Sequence, residues 1–275
     1  MIRAPRLARA LVALASVVIA SGCSGSSGTP TPPPISDPNV VITRSVGAVP
    51  AVTSVHVKVE VSGTVNAGAL SGSGSGGLGL SGNMDLAGTT AEGDVDVTNE
   101  ATDLKITLPS PLGTGEIIVV GGNLYYKLSL YGDRFTETSL SNAVPVPIPS
   151  PGAVASANPS AAIASLTKAL DDAGAKATLM ADDKVAGKDV YHVSVSIPVD
   201  KINTLLAAEG GSATAGMKLD SASFDYWVYK DSVLPAKVEI KGSAGTLGSL
   251  DVVVTLTSYN EAVTIKAPAA TDIGA

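Results

Sequence analysis

The chain has 275 residues, a formal net charge of −7 and one cysteine. The acidic balance excludes binding to the phosphate backbone of nucleic acids and disfavours broad adhesion to anionic lipid headgroups. Aromatic residues make up 4% of the chain, which is too few for a surface that stacks on bases or sugars.

The N-terminus has the pattern of an export signal. Three arginines precede an apolar segment over residues 11–20, and ten residues are too few to span a bilayer, which needs about 20. The segment ends in Ala20-Ser21-Gly22-Cys23, which resembles the bacterial lipobox, whose cysteine receives diacylglycerol. An ordinary secretory signal is the alternative. We therefore predict a signal peptide over residues 1–23 and a lipid on Cys23 that holds the protein on the extracytoplasmic face of the cell membrane.

Removal of the signal changes the properties of the mature chain. It leaves 15 basic against 25 acidic side chains, a net charge of −10. Since the one cysteine becomes the anchor, disulfides and thiolate metal sites are excluded from the domain. Residues 24–37 (SGSSGTPTPPPISD) predict a Ser/Gly/Pro tether that reaches some 40 Å at ~3 Å per residue.

Residues 38–275 predict a single domain, since their length does not require two. Asp37 and Pro38 are typical of an N-cap and a first helical residue, so a short helix is expected to end near residues 47–50. Two further helices are predicted over 159–172 and 199–209 from their apolar stripes.

Most of the remaining chain alternates apolar and polar residues, the period of a half-buried strand. In the first such segment, Val55, Val57, Val59 and Val61 alternate with polar residues. The same pattern recurs near residues 78–86, 104–108, 124–128, 191–197, 224–228, 238–240 and 250–256. Short turns such as Gly121-Gly122-Asn123 separate several of these segments, which favours antiparallel neighbours in a meander. The predicted fold class is α+β, with about ten strands in one strongly curved antiparallel sheet.

Few residues could carry chemistry. His56 and His192 both lie on the polar side of a predicted strand, which favours exposed surface over a general base. Asp94 and Asp96 could offer oxygens to calcium, but a solvated acidic face is the favoured interpretation. Trp227 is expected to pack under a helix. We therefore predict no catalytic residue, no metal site, no cofactor and no enzyme activity.

Four phrases of the sequence, in order, resemble one family of proteins. They are a glycine turn followed by an aromatic strand, a strand around Tyr191, a hairpin that begins at a tryptophan, and a closing strand: Val120–Lys127, Gly187–Val193, Trp227–Val238 and Tyr259–Pro268. Together with the lipobox and the tether, they resemble the LppX/LprA/LprF/LprG family of actinobacterial lipoproteins. The resemblance implies a half-barrel wrapped around helices, with an apolar cavity whose ligand is a lipid or glycolipid that the protein carries across the cell envelope. An envelope transporter is a possible partner.

Strand parity and the helical stripes select candidate residues for this cavity. They are Leu78, Leu80, Met84, Leu86, Leu104, Ile106, Tyr126, Ile163, Leu166, Leu170, Tyr191, Val193, Val195, Phe224 and Tyr226. Close packing of small side chains, which would leave no cavity, is the alternative. Two other functions stay open: a non-catalytic envelope interaction or sensor module with the same fold, and an enzyme that acts on lipid.

Overall fold

A computed structural model describes residues 35–66, 82–140, 174–209 and 218–274, without the side chains of residues 205–209. Two α-helices lie in these ranges, α1 (Pro38–Ala48) and α2 (Val199–Glu209). The strands are β1 (Ser54–Asn66), β2 (Asn83–Asp85), β3 (Thr89–Asp96), β4 (Ala101–Thr107), β5 (Thr114–Val120), β6 (Asn123–Leu128), β7 (Thr136–Ser139), β8 (Lys176–Leu179), β9 (Asp183–Val185), β10 (Lys188–Ser196), β11 (Ser221–Tyr229), β12 (Pro235–Ser243) and β13 (Gly248–Thr257). The signal peptide and the helix predicted over 159–172 lie outside the described residues.

The described strands form one open antiparallel sheet. Its order is β7-β6-β5-β4-β3-β1-β13-β12-β11-β10-β8, while β2 pairs with β1 and β9 pairs with β10. From β3 to β7 and from β9 to β13 each strand pairs with the next in the chain, whereas β7 and β8 lie at opposite ends of the strand order and β1 lies between β3 and β13. The pairing of β1 with β13 joins the meander of the first half of the chain to the meander of the second half in one sheet.

The helices begin and end where the sequence predicts. The Asp37 side chain caps α1 by accepting a hydrogen bond from the Asn39 amide at 2.8 Å, and Pro38 occupies the first helical position, where no backbone donor is needed. α2 spans the predicted residues. Its Asn203 side chain exchanges two hydrogen bonds with the backbone of Leu219, at 2.8 and 3.0 Å, and so holds the helix beside the start of β11.

The sheet has thirteen strands where alternation predicts about ten. β5 contains the uninterrupted apolar run Ile117–Val120, which has no period of two. β7, β8 and β9 are three or four residues long, too short to display a period. These strands form because neighbouring strands offer them hydrogen bonds, which is a tertiary effect.

The register separates the sheet into two faces, since side chains alternate along each strand. Paired residues on one side, here called the apolar face, run across ten strands: Leu179, Val193, Tyr226, Val238, Val254, Val59, Ala91, Ile106, Gly115 and Leu128. The adjacent row on the other side, here called the charged face, is Lys237, Thr255, Lys58, Glu92, Lys105, Glu116 and Lys127. The alternation seen in single segments therefore adds up to one amphipathic sheet.

Glycine allows close approach of neighbouring strands on the apolar face. A Cβ atom added at Gly93 would lie 1.9 Å from the carbonyl oxygen of Asp103 on β4. At Gly63, which has a φ of 116°, it would lie 2.2 Å from the carbonyl oxygen of Ser249 on β13. Glycine within a strand is typical of tight bends where backbones approach closely. These two positions therefore belong to the path of the sheet.

Replacing Gly93 by alanine should destabilise the protein by about 1–3 kcal/mol or more, because the new methyl group meets backbone that cannot move aside. Gly242→Ala is the matched control: it also lies on the apolar face, and its added Cβ would meet no atom closer than 3.7 Å. Urea unfolding of the two variants measures the difference. Equal stabilities would contradict the close approach at Gly93.

Candidate functional site

Helix α1 covers one end of the apolar face. Its Val41, which is 1% exposed, packs into a cluster with Tyr191, Val193 and Val195 of β10 and with Val228 of β11. Val193 and Val228 have no exposed surface. Full burial of one such side chain contributes about 1.5–3 kcal/mol. This end of the sheet is therefore a packed core.

Two tyrosine hydroxyls in this cluster bind the segment that carries α1. The Ser45 hydroxyl of α1, which is fully buried, lies 2.7 Å from the Tyr226 hydroxyl. The Ile35 amide donates to the Tyr191 hydroxyl at 3.2 Å. Burial raises the pKa of Tyr226 above its usual value, against the opposing effect of the Ser45 hydrogen bond. The hydrogen bonds fix how α1 lies on the sheet, since apolar packing alone is not directional.

Away from α1 the apolar face is less enclosed. The valines of β1 and β13 at its centre are half-buried: Val57, Val59, Val61, Val252 and Val254. Further toward the ends of the strands, Ile240 is 48% and Leu250 is 40% exposed. Exposed apolar area costs roughly 25 cal/mol per Å² relative to burial. The centre of the sheet can therefore gain stability from an additional apolar partner.

The candidate cavity residues fall into four groups. α1 packs over the first group, which the fold brings together: Tyr191, Val193, Val195, Phe224 and Tyr226. A second group shares the apolar face farther along the sheet, namely half-buried Leu104 and Ile106 and exposed Tyr126. Half-buried Met84 lies opposite Val65, with half-buried Leu86 just after β2. The remaining candidates lie outside the described residues, as does the lipidation site: Leu78, Leu80, Ile163, Leu166, Leu170 and Cys23.

Some residues on the apolar face, and one on the helix that covers it, were not among the candidates. Val41 and Val228 are central to the packed end, and the valines of β1 and β13 form its centre. The alternation of the two strands does predict that these valines share one face. Val41 carries no such signal, because α1 is short and its apolar residues do not form a clear stripe.

An open cleft of about 700 Å³ lies at the ends of β4, β5 and β6. Charged side chains lie around it, namely Lys105, Glu116, Lys127 and Asp133, while apolar atoms make up most of its surface. Because this cleft is open and has charged residues around it, it does not establish the enclosed apolar cavity that the family resemblance implies, and that cavity stays a prediction.

The two histidines lie on the charged face, as their strand parity predicts. The His56 ring lies between Asp94, at 2.8 Å, and Glu92, at 3.4 Å. These carboxylates raise the pKa of His56, the Asp94 hydrogen bond most strongly, while burial opposes them. His192 lies 2.9 Å from Asp225. Each histidine is half-buried and bound to a carboxylate, rather than fully exposed.

The two aspartates considered for calcium have separate roles. Asp94 contacts His56, whereas Asp96 accepts hydrogen bonds from the backbone amide and the side chain of Asn99, at 3.0 and 2.8 Å. Asp96 thus stabilises the turn between β3 and β4. Among the described residues, no group of three or more His, Cys, Asp or Glu side chains is placed to hold a metal ion.

Trp227 packs within strands on the charged side of the sheet, and not under a helix as expected. Its ring stacks on His192 with centroids 4.2 Å apart, and the ammonium of Lys237 lies 4.2 Å from the ring centroid. The indole N–H donates to Asp183 of β9 at 3.2 Å. The short strand β9, which the sequence does not reveal, provides the cover that a helix was expected to supply.

A family model for LppX_LprAFG lipoproteins matches residues 37–265. The chain belongs to the LppX_LprAFG lipoprotein family. Its fold is also similar to that of solved LprF from Mycobacterium bovis, with a TM-score of 0.50 and 17% identity over 84% of this chain and 96% of that one. For LppX from Mycobacterium tuberculosis the TM-score is 0.48, with 17% identity over 83% and 97% of the two chains. Among curated protein sequences, none matches this chain.

Family membership agrees with an extracytoplasmic lipoprotein and with a fold suited to lipid binding. Within the described residues, no helix has both the length and the apolar character needed to span a membrane. The LppX_LprAFG match covers α1 and the strands from β1 to β13, so it includes the whole apolar face.

Ser45→Ala should destabilise the protein by about 1–3 kcal/mol, because the buried Tyr226 hydroxyl loses its partner. Adding Tyr226→Phe to this variant should restore part of the loss by removing that hydroxyl. Urea unfolding of the two single variants and the double variant measures the coupling. Additive effects would show that the hydrogen bond does not fix α1.

The interaction of His56 with Asp94 and Glu92 should contribute most to the free energy of unfolding at acidic pH. Since its pKa is raised in the folded protein, the contribution is complete below the ordinary value of about 6.5 and is lost as the pH rises through the raised value. His56→Gln should therefore lose more stability at about pH 5 than at about pH 8. Chemical denaturation at both pH values tests this. Asp94→Asn should likewise lose more stability at the lower pH than at the higher one. A pH-independent difference would contradict the ion pair.

Proposed function

We propose that this protein binds lipid or glycolipid acyl chains on the apolar face and carries them across the cell envelope without catalysis. The observation that supports this most is the extent of the face. It continues across ten strands, whereas the packed cluster under α1 involves β8, β10 and β11. The rest is half-buried or exposed valine, isoleucine, leucine, alanine and glycine.

The part of the apolar face away from α1 has the dimensions and chemistry for acyl chains. From β11 to β4 there are five strand intervals, which at about 4.8 Å each make a surface roughly 24 Å wide. Its paired residues include Ala91 of β3, whose small side chain leaves room above the backbone. Flexible hydrocarbon can follow such a surface without needing the directional contacts that a polar ligand requires.

Carriage through water requires this kind of shielding. An acyl chain of about 16 carbons gains roughly 13 kcal/mol on leaving water, at ~0.8 kcal/mol per methylene. A free lipid therefore rarely leaves its membrane, and a protein that covers its chains removes most of that cost. The lipid on Cys23 would hold the carrier at the membrane, and a transporter in the envelope would be the natural donor or acceptor of the cargo.

Binding is tested by purifying the full lipoprotein from its own host and analysing the organic extract of the native protein by mass spectrometry. We expect acyl lipid in stoichiometric amount beyond the protein's own covalent lipid. An extract without such lipid would exclude a resident cargo and favour the interaction or sensor function. Ester hydrolysis by the purified protein would instead favour an enzyme.

A paired substitution tests where the cargo binds. Val254→Trp places a large ring at the centre of the apolar face, between Val59 and Val238, and should reduce recovered lipid about ten-fold, an effect of about 1.4 kcal/mol. Val253→Trp makes the same change at the next residue, which points to the charged face between Glu60 and Glu239. It should leave recovery unchanged. Equal recovery from both variants, at matched thermal stability, would place the cargo elsewhere.

A further inference from the structure

One hydroxyl on the apolar face has no partner within the fold. The Thr89 Oγ1 atom is buried without a hydrogen bond, as are carboxylate oxygens of Asp103 and Asp251 among the described residues. The two aspartates lie on the charged face, where lysines lie nearby. Thr89 lies two residues before Ala91 on β3 and is therefore on the apolar face. Its position requires an explanation, since buried hydroxyls in native proteins nearly always have a partner.

Elsewhere on the apolar face the fold does supply such partners. The Tyr226 hydroxyl lies 2.7 Å from that of Ser45, and the Tyr191 hydroxyl accepts a hydrogen bond from the Ile35 amide at 3.2 Å. A buried hydroxyl without a partner has lost its bonds to water and gained none in return. Thr89 would therefore gain from a hydrogen-bonding atom that comes from outside the fold.

Thr89 also ends a row of apolar side chains that crosses the sheet. Each residue of the row pairs directly with the next, on β11, β12, β13, β1 and β3: Phe224, Ile240, Val252, Val61 and Thr89. The four apolar members are half-buried or exposed. Four strand intervals at about 4.8 Å each make the row roughly 19 Å long. A hydrocarbon chain that lies along this row has the threonine hydroxyl at one end.

The Thr89 hydroxyl can be turned toward a ligand. The residue as a whole is half-buried, so part of its surface is accessible although Oγ1 is not. Rotation about the Cα–Cβ bond moves the hydroxyl between staggered positions, and no hydrogen bond within the fold holds it in one of them. The next residue on this face is Ala91, whose small side chain leaves space beside the hydroxyl.

We infer that Thr89 is a specificity-determining residue of the proposed lipid site, and that its hydroxyl donates a hydrogen bond to the ester carbonyl of an acyl chain. This inference rests on the lipid binding proposed above. A carbonyl oxygen in apolar surroundings also needs a partner, so the ligand and the protein satisfy each other. The chain lies along the row toward Phe224. The ligand class is an ester-linked acyl lipid, because an ether-linked lipid lacks the projecting carbonyl and offers a weaker acceptor.

The test compares ester-linked and ether-linked phosphatidylglycerol with the same chains. The full lipoprotein in detergent, after removal of any resident cargo, is incubated with an equimolar mixture of the two, captured and washed. Mass spectrometry then gives the ratio of the two bound lipids, which does not depend on the amount of folded protein.

Three variants accompany the wild type. Thr89→Val keeps the shape of the side chain and removes the hydroxyl, whereas Thr89→Ser keeps the hydroxyl. Thr90→Val makes the same change at the next residue, which pairs with Glu60 and Thr107 on the charged face, and is the matched control.

The wild type, Thr89→Ser and Thr90→Val should each be enriched in the ester lipid about ten-fold, whereas Thr89→Val should bind the two lipids about equally. Equal binding by the wild type, or a preference that persists in Thr89→Val, would overturn the inference and leave lipid binding itself intact. Absence of both lipids from the wild type would overturn the proposed lipid binding and, with it, this inference.

Urea unfolding of the cargo-free proteins separates this role from a structural one. Thr89→Val should be at least as stable as the wild type, because the fold loses no hydrogen bond. A loss of stability in this variant would reveal a partner for the hydroxyl within the fold and would also overturn the inference.

Discussion

The antiparallel register is the constraint on which the rest of this structure depends. A shift of one residue between any two strands would move the side chains of one strand to the opposite face. Because the register keeps the same parity from β8 to β6, with a shift only between Trp227 and Val228 at the end of β11, valines from distant parts of the sequence meet on one side and charged residues on the other. Close backbone approach at Gly93 belongs to the same arrangement.

The two faces reach stability by different means. On the charged face, unlike charges lie opposite one another on adjacent strands, as in Lys58 with Glu92 and Glu116 with Lys127, and such pairs stabilise a solvated sheet. The apolar face has a helix at one end, where tyrosines and valines pack tightly under α1. Toward its centre it has smaller residues and less cover. This difference between its end and its centre is the physical basis for proposing a lipid ligand.

Position within the sheet also decides what the polar residues do. His56 and His192 each lie beside a carboxylate of a neighbouring strand, and Trp227 is enclosed between His192 and Lys237. These groups stiffen the outer side of the sheet. The hydroxyls of Ser45 and Tyr226 have the corresponding role on the apolar side, where they orient α1. The turn between β6 and β7 differs, because the large side chains of Leu130 and Tyr131 stay in solvent.

The sequence by itself determined the features that depend on neighbouring residues. The cap at Asp37, the bounds of α2 and the alternation of β1, β10 and β13 follow from local preferences and period, so helix, strand and face were predictable. The family was recognisable from four short phrases. Only the tertiary structure decided that β5 and the short strands β7–β9 join the sheet, that β1 pairs with β13, and that Val41 covers Val193 rather than another part of the face. Those outcomes depend on contacts between residues far apart in the chain, which local pattern does not encode.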